Sequence, residues 1–200
     1  PRLPGFLAAH PQLELSLMTG TNLVDFDRDL DVDAALRYGP GRWPGLEAEH
    51  LFDDWIAPLA SPDFLARHRG QALARMPVLD DRSNRWRDWV ARFGGEAPTR
   101  FIAAFDDTEA LHRAAVSGLG AAMGRLSLAR PLLEAGLLVE LSPHRLKSDF
   151  AHYLVYPRRS ADHAGLQAFR TWLIAQARDY AATWDGRVAL PPRKAAKKVA

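Results

Sequence analysis

Leu23-Val24-Asp25-Phe26 opens the stretch that decides the fold, which continues through Ala35-Leu36-Arg37-Tyr38-Gly39 and Leu51-Phe52 to Ser61-Pro62. Apolar spacing predicts a helix over residues 23 to 30, for which Thr21 or Asn22 supplies a capping oxygen. Residues 32 to 38 are predicted to form a strand. The stretch therefore indicates a helix that leads into a strand.

The next residues contain a loop and a second extended segment. Residues 39 to 45 hold two prolines and three glycines, a composition that excludes both helix and strand. Residues 46 to 59 are predicted to be extended, with a break at Asp53-Asp54. Ser61-Pro62-Asp63 then predicts a helix start, because serine caps the helix and proline suits its first position.

The chain on either side of this stretch follows the same pattern. Before it, a helix is predicted over residues 4 to 10 and a strand over 13 to 18, where apolar and polar residues alternate. After it, helices and strands alternate to the last helix. The predicted strands are 76–79, 100–105, 121–123, 137–141 and 153–156, and the predicted helices begin at 86, 107, 126 and 164.

Alternating strands and helices predict the α/β class, with parallel doubly wound sheets. The first unit has too few strands unless the chain returns to it, and the last helix is the segment that would return. We therefore predict two doubly wound subdomains joined by two crossing segments.

Further residues carry a family resemblance. Trp86-x-x-Trp89, Phe105-Asp106-Asp107-x-x-x-Leu111 and the run from Ala114 to Arg125 follow the opening stretch in order. Together they resemble the effector-binding domain of LysR-type transcriptional regulators, in the branch that includes activators of glycine cleavage and of β-lactamase genes. The resemblance covers roughly residues 1 to 180.

The resemblance implies a fold like that of type II periplasmic binding proteins. Subdomain I would comprise residues 1–60 and 157–184, and subdomain II residues 61–156. Residues 57 to 62 and 153 to 157 would act as hinges beneath a cleft. The cleft would bind a small-molecule effector, with no cofactor, in a cytoplasmic homodimer or homotetramer. DNA would be bound only through a winged helix-turn-helix that would precede Pro1, as would the family's first strand.

Composition and charge are consistent with this class. The chain is 48% hydrophobic and 25% charged, contains no cysteine, and has no apolar run that would cross a membrane. The whole chain has a net charge of +2. Residues 185 to 200 alone carry +4, so residues 1 to 184 carry −2. We interpret this basic tail as disordered and solvated, with an auxiliary DNA contact as the alternative.

Polar residues at strand ends are the candidate ligand-binding residues, because ligands of open α/β sheets bind beyond the carboxyl ends of strands. Each has a structural alternative, such as a helix cap for Thr21, Asn22 and Asp107, or an ion pair with Asp33, Asp53 or Asp54 for Arg37. Arg37 is the main candidate for pairing with a carboxylate. The full set is Thr21, Asn22, Arg37, Tyr38, Gly39, Asp106, Asp107, Thr108, Met123, Gly124 and Arg125.

Other kinds of site find little support. Gly118-Leu119-Gly120-x-x-x-Gly124 follows a predicted helix and precedes a strand, the reverse of a dinucleotide-binding motif. The seven histidines include no pair with metal-binding spacing on one helix face. Two alternative functions remain: a periplasmic solute-binding protein, and an enzyme on the same fold with Asp106 or Asp107 as acid or base.

The resemblance also implies a dimer of inverted subunits. One subunit would contribute a helix and an edge strand from its N-terminal region, and its partner a helix and a strand from subdomain II. The predicted interface residues are Leu3, Phe6, Leu7, Leu13, Leu15 and Leu17 on one side and Leu128, Leu132, Leu133, Leu137 and Val139 on the other.

Overall fold

The computed structural model describes residues 2–20 and 23–183 of the chain. The contacts divide these residues into two compact units. Unit 1 contains the described residues up to Asp54 together with Ser148–Thr183, and unit 2 contains Trp55–Lys147. Both boundaries lie earlier in the chain than the predicted ones at 60 and 156. Thr21, Asn22 and the basic tail lie outside the described residues, so the predictions made for them stay predictions.

Helices and strands alternate through most of the described chain. The helices are α1 (Leu3–Ala9), α2 (Pro62–Arg67), α3 (Arg85–Phe93), α4 (Thr108–Val116), α5 (Leu126–Glu134) and α6 (Ala164–Thr183). The strands are β1 (Ala35–Gly39), β2 (Leu46–Ala60), β3 (Val78–Asp80), β4 (Phe101–Ala104), β5 (Ala121–Arg125), β6 (Val139–Glu140) and β7 (Leu146–Pro157). The long strands β2 and β7 each run from one unit into the other.

In unit 1, α6 packs against β2 and β7. β1 pairs antiparallel with β7, from Ala35 opposite Val155 to Gly39 opposite Ala151. The buried core contains Leu51, Leu154, Tyr156, Leu166 and Ala177. The Tyr156 hydroxyl donates to Glu49 over 2.5 Å, and burial is the main cause that raises the pKa of Tyr156 to about 12. Arg170 of α6 also donates to Glu49, so α6 is held by apolar packing and by partly buried polar contacts.

Unit 2 is built on a mixed sheet in the order β2-β5-β3-β4. β3 is parallel to β4 and β5, whereas β2 is antiparallel to β5 and β6. Parallel strands were predicted throughout, but β2 enters from unit 1 and runs in the opposite direction. The core of this unit consists of two clusters of buried side chains. One includes Leu59, Leu79, Leu111 and Leu126, and the other includes Phe64, Val78 and Met123.

The helix starts predicted at Ser61 and Asp107 are confirmed. The Ser61 hydroxyl accepts from the Phe64 N–H over 3.3 Å, and the Asp107 carboxylate accepts from the Ala110 N–H over 2.7 Å. Gly94 follows α3 with a φ of 82°, and Gly118 follows α4 with a φ of 75°. These backbone angles favour glycine, so local sequence chemistry determines where these helices end.

Two predicted elements of unit 1 are wrong. Residues 13 to 18 form no strand, because no described strand hydrogen-bonds to them. Residues 23 to 30 form a turn instead of a helix. The Asp25 side chain accepts from the Asp27 N–H over 3.1 Å, and such local bonds compete with helical ones.

The predicted break at Asp53-Asp54 is also wrong, since β2 continues through both residues. Asp54 is buried, and its carboxylate lies 3.2 Å from His152 Nε2 on β7. The His152 ring stacks on Phe52 at a centroid distance of 4.5 Å. A specific partner therefore accommodates the carboxylate inside the strand.

Among the described residues, no helix has both the length and the apolar character needed to span a bilayer.

Candidate functional site

Arg37 lies on β1 in a partly buried setting built by aromatic side chains. Its Nη2 donates to the Val24 carbonyl over 2.8 Å. The guanidinium carbon lies 5.6 Å from the Phe26 ring centroid and 5.7 Å from that of Trp43. Aromatic faces attract a cation at this range, by about 0.5–1 kcal/mol each at exposed sites and more when desolvated. The two rings and the carbonyl therefore fix the guanidinium.

Arg37 forms no ion pair within the described part of the chain. The predicted alternative partners Asp33, Asp53 and Asp54 do not bind it; the bond to Val24 is its hydrogen bond. Burial without a carboxylate lowers the pKa of Arg37 from its ordinary value, although an arginine stays charged at neutral pH. Folding has already removed part of the water around this guanidinium. An anion that bound there would supply favourable contacts in place of that water.

Gly39 allows the aromatic wall of the Arg37 setting to approach β1. A Cβ placed on Gly39 would lie 2.8 Å from the Trp43 ring, closer than side chains tolerate. Trp43 also packs edge-on against Tyr153, with centroids 5.4 Å apart. Gly39 is thus a packing residue for Trp43, and its predicted role in ligand contact stays a prediction.

Tyr38 occupies the opposite side of β1 from Arg37, as the alternation of a strand requires. Its hydroxyl lies 2.5 Å from Ser148 Oγ, and its ring lies 5.2 Å from that of His152. His152 in turn contacts the buried Asp54. Consecutive residues of β1 therefore belong to two different environments within unit 1.

The candidate residues of unit 2 lie at the start of α4 and in β5. Asp106 and Asp107 are exposed, and Asp107 acts as the helix cap that was the predicted alternative. Met123 is buried in the core, and Gly124 is closely covered by Leu59 and His112. Arg125 is buried and has partners within the described chain. Thr108 is the first residue of α4.

Most of the surroundings of Arg37 and Tyr38 are not apparent from the sequence. The sequence predicts only a loop around Trp43 and no role for Ser148 or His152. Phe26 belongs to the opening stretch, for which the sequence predicts a helix. The pairing of β1 with β7 brings these residues together, because it places Arg37 opposite Tyr153 and Tyr38 opposite His152. It was not visible in the sequence.

Comparison with known proteins places the chain in a family. The model of the LysR substrate binding domain family matches residues 1–178, so the chain belongs to this family. The effector domain of the transcriptional regulator AmpR of Pseudomonas aeruginosa superposes with a TM-score of 0.78 and 29% identity, covering 92% of this chain and 89% of that one. The predicted fold class and family resemblance are confirmed.

Two proteins similar to this chain are transcriptional activators. The glycine cleavage system transcriptional activator of Escherichia coli strain K12 is 32% identical over 183 residues, which cover 88% of this chain and 60% of the relative. The HTH-type transcriptional activator AmpR of Rhodobacter capsulatus is 31% identical over 180 residues, covering 88% of this chain and 61% of the relative. The match thus spans about 60% of the length of these relatives.

Proposed function

We propose that this chain is the effector-sensing domain of a LysR-type regulator and that it binds a small anionic molecule through Arg37. The observation that carries the proposal is the partly buried guanidinium, which is bound to a carbonyl and not to a carboxylate. An arginine presents five N–H donors in a planar fork, and a carboxylate pairs with two of them at once. Phe26 and Trp43 would hold the fork in place for this pairing.

The relatives favour sensing over the alternative functions. Both relatives described above are transcriptional activators; neither is a solute-binding protein or an enzyme. The Asp107 carboxylate already accepts from the Ala110 N–H, which favours a capping role over acid–base catalysis. We propose that the domain is not an enzyme and acts in the cytoplasm, where transcription takes place. Control of transcription, and contact with DNA through a separate region, are proposed for the protein that contains this domain.

Effector binding is tested with Arg37→Ala. Thermal-shift screening of amino acids, aromatic acids and cell-wall fragments comes first, because a ligand of the native state raises the melting temperature. Calorimetric titration of the ligand found should then show Arg37→Ala weakened by about 1.5–3 kcal/mol, since a charged hydrogen bond is lost. Arg87→Ala is the control, because it removes the same charge from an exposed position of α3. Equal affinity of Arg37→Ala and wild type would contradict the proposed role.

We also propose that the domain forms a dimer through part of the predicted interface. Four of its residues are large, apolar and exposed: Leu7, Leu17, Leu128 and Leu137. Phe6 is instead buried against Phe169 and Trp172, and Leu132 and Leu133 pack against the core of unit 2. The exposed members are therefore the ones that remain free for a second subunit.

Leu128→Asp should convert the dimer to a monomer, because a buried unpaired charge is costly in an interface. Leu128 is 44% exposed, so the substitution should leave the folded monomer intact. Analytical ultracentrifugation at tens of micromolar measures the change. Leu119→Asp is the matched control, since Leu119 is 47% exposed in the same unit and lies outside the predicted interface. A Leu128→Asp protein that still forms dimers would rule out this interface.

A further inference from the structure

Unit 2 contains an open groove that the proposed function does not use. Its volume is about 930 Å³, within the range of small-molecule sites. Three segments of the unit form it: residues 70–75, Trp89 of α3 with residues 94–96 that follow the helix, and residues 141–143. All of these residues belong to unit 2, whereas Arg37 belongs to unit 1.

Trp89 of α3 lines the groove and has an unsatisfied hydrogen-bond donor. Its side chain is 8% exposed, and its buried indole Nε1 has no hydrogen-bond partner among the described residues. Trp86 on the same helix differs, because its indole N–H donates to the Leu79 carbonyl over 3.0 Å. Buried polar groups are almost always paired in native proteins. The Trp89 indole therefore remains able to donate to a group outside the described chain.

Two further donors line the same groove. The Ser142 hydroxyl accepts from the His144 N–H over 3.1 Å, but it donates to no described residue. Arg75 forms neither an ion pair nor a side-chain hydrogen bond within residues 2–20 and 23–183. An indole N–H, a hydroxyl and a guanidinium all donate, so together they match an acceptor with negative charge.

Three of the residues that line the groove are glycines with positive φ. Gly70, Gly94 and Gly95 line it with φ values of 81°, 82° and 97°, and a Cβ on any of them would meet no atom within 4 Å. The remaining lining is largely apolar and includes Leu73 and Leu141. The apolar part of a small ligand could therefore bind in the groove next to Trp89, Ser142 and Arg75.

We propose that this groove binds a carboxylate with an apolar body, whose oxygens accept from Trp89, Ser142 and Arg75. Glu96 is the carboxylate among the lining residues and repels such a ligand. The ligand therefore places its charged end towards Arg75 and its apolar end against Leu73 and Leu141. This site is separate from the one proposed around Arg37.

The test follows the tryptophan indole signals of the 200-residue chain by ¹H–¹⁵N NMR. Hexanoate, phenylacetate and indole-3-acetate are titrated to about 10 mM, a range that detects millimolar dissociation constants. The Trp89 signal is assigned by its loss in Trp89→Phe. We expect at least one of these carboxylates to shift this signal saturably and to leave that of Trp86 unchanged. Phenylacetamide, which lacks the charge, should bind at least about tenfold more weakly than phenylacetate.

Variants separate this site from the Arg37 site. Arg75→Gln should weaken carboxylate binding at Trp89 by about tenfold or more, and the exposed control Arg87→Gln should not. Arg37→Ala should leave the Trp89 titration unchanged, so failure of one site is distinguishable from failure of the other. No saturable shift at Trp89 with any of the three carboxylates would overturn the proposal. Equal affinity of Arg75→Gln and wild type would do the same.

Discussion

Glu140→Gln should lower the free energy of unfolding by about 3–5 kcal/mol, because it removes the carboxylate that pairs with the buried Arg145 through two hydrogen bonds. Arg145 Nη2 lies 2.5 Å from Glu140 Oε1, and Arg145 Nε lies 2.8 Å from Oε2. The two side chains are 6% and 5% exposed. Glutamine keeps the shape of glutamate, so the substitution tests the charge and not the packing. Urea denaturation followed by circular dichroism measures the loss.

The control for this prediction is an exposed pair of the same chemistry. Glu109 and Arg113 are 68% and 77% exposed and lie at consecutive turns of α4. Solvent screens such a pair, so Glu109→Gln should cost far less than Glu140→Gln. The double variant Glu140→Leu/Arg145→Met should recover most of the lost stability, because no buried charge remains unpaired. If Glu140→Gln cost no more than Glu109→Gln, the pair would not stabilise the fold.

Leu59→Ala should cost about 2–5 kcal/mol, since it creates a cavity at the centre of unit 2. Leu59 is fully buried on β2, opposite Ala122 of β5 and Glu140 of β6. Its side chain covers Gly124, where a Cβ would also meet His112 Nε2 at 2.9 Å. Unfolding of the variant in urea gives the cost directly. Leu119→Ala removes an equally large side chain that is 47% exposed, and its cost should stay within about 0.5 kcal/mol.

The close contact between Leu59 and Gly124 adds a second expectation. Gly124→Ala alone should destabilise the protein by about 1–3 kcal/mol, because the added methyl overpacks the core. In Leu59→Ala the same methyl enters the cavity, so the double variant should lose less than the two single losses combined. Strict additivity would show that these residues do not share the space. The result bears on Gly124 as a candidate ligand residue, because it measures how far packing alone accounts for the glycine.

Much of unit 2 could be predicted from the sequence. Ser61 and Asp107 carry side-chain oxygens that cap the helices following them, and Gly94 and Gly118 adopt backbone angles that end helices. These signals act within a few residues of the chain, so local chemistry is enough to place them. The family assignment likewise rested on residues that the sequence itself displays, and the match over residues 1–178 confirms it.

The candidate site was only partly predictable. Arg37 was singled out because an arginine at a strand end suits a carboxylate, but its carbonyl partner and aromatic neighbours come from residues 24, 26 and 43. The groove beside Trp89 could not be foreseen, since it combines three segments that are distant in sequence. Trp86 and Trp89 lie on the same helix, yet among the described residues only one of the two indoles has an acceptor for its N–H.

The sequence by itself determined the α/β class, the helix ends of unit 2 and the family, because caps, glycines and apolar periodicity act over short distances. Tertiary structure alone decided that residues 13 to 18 form no strand, that residues 23 to 30 turn, and that β2 continues through Asp54. A strand exists only where a neighbour completes its hydrogen bonds, and a carboxylate is buried only where a partner such as His152 meets it. Both conditions depend on residues far away in the chain.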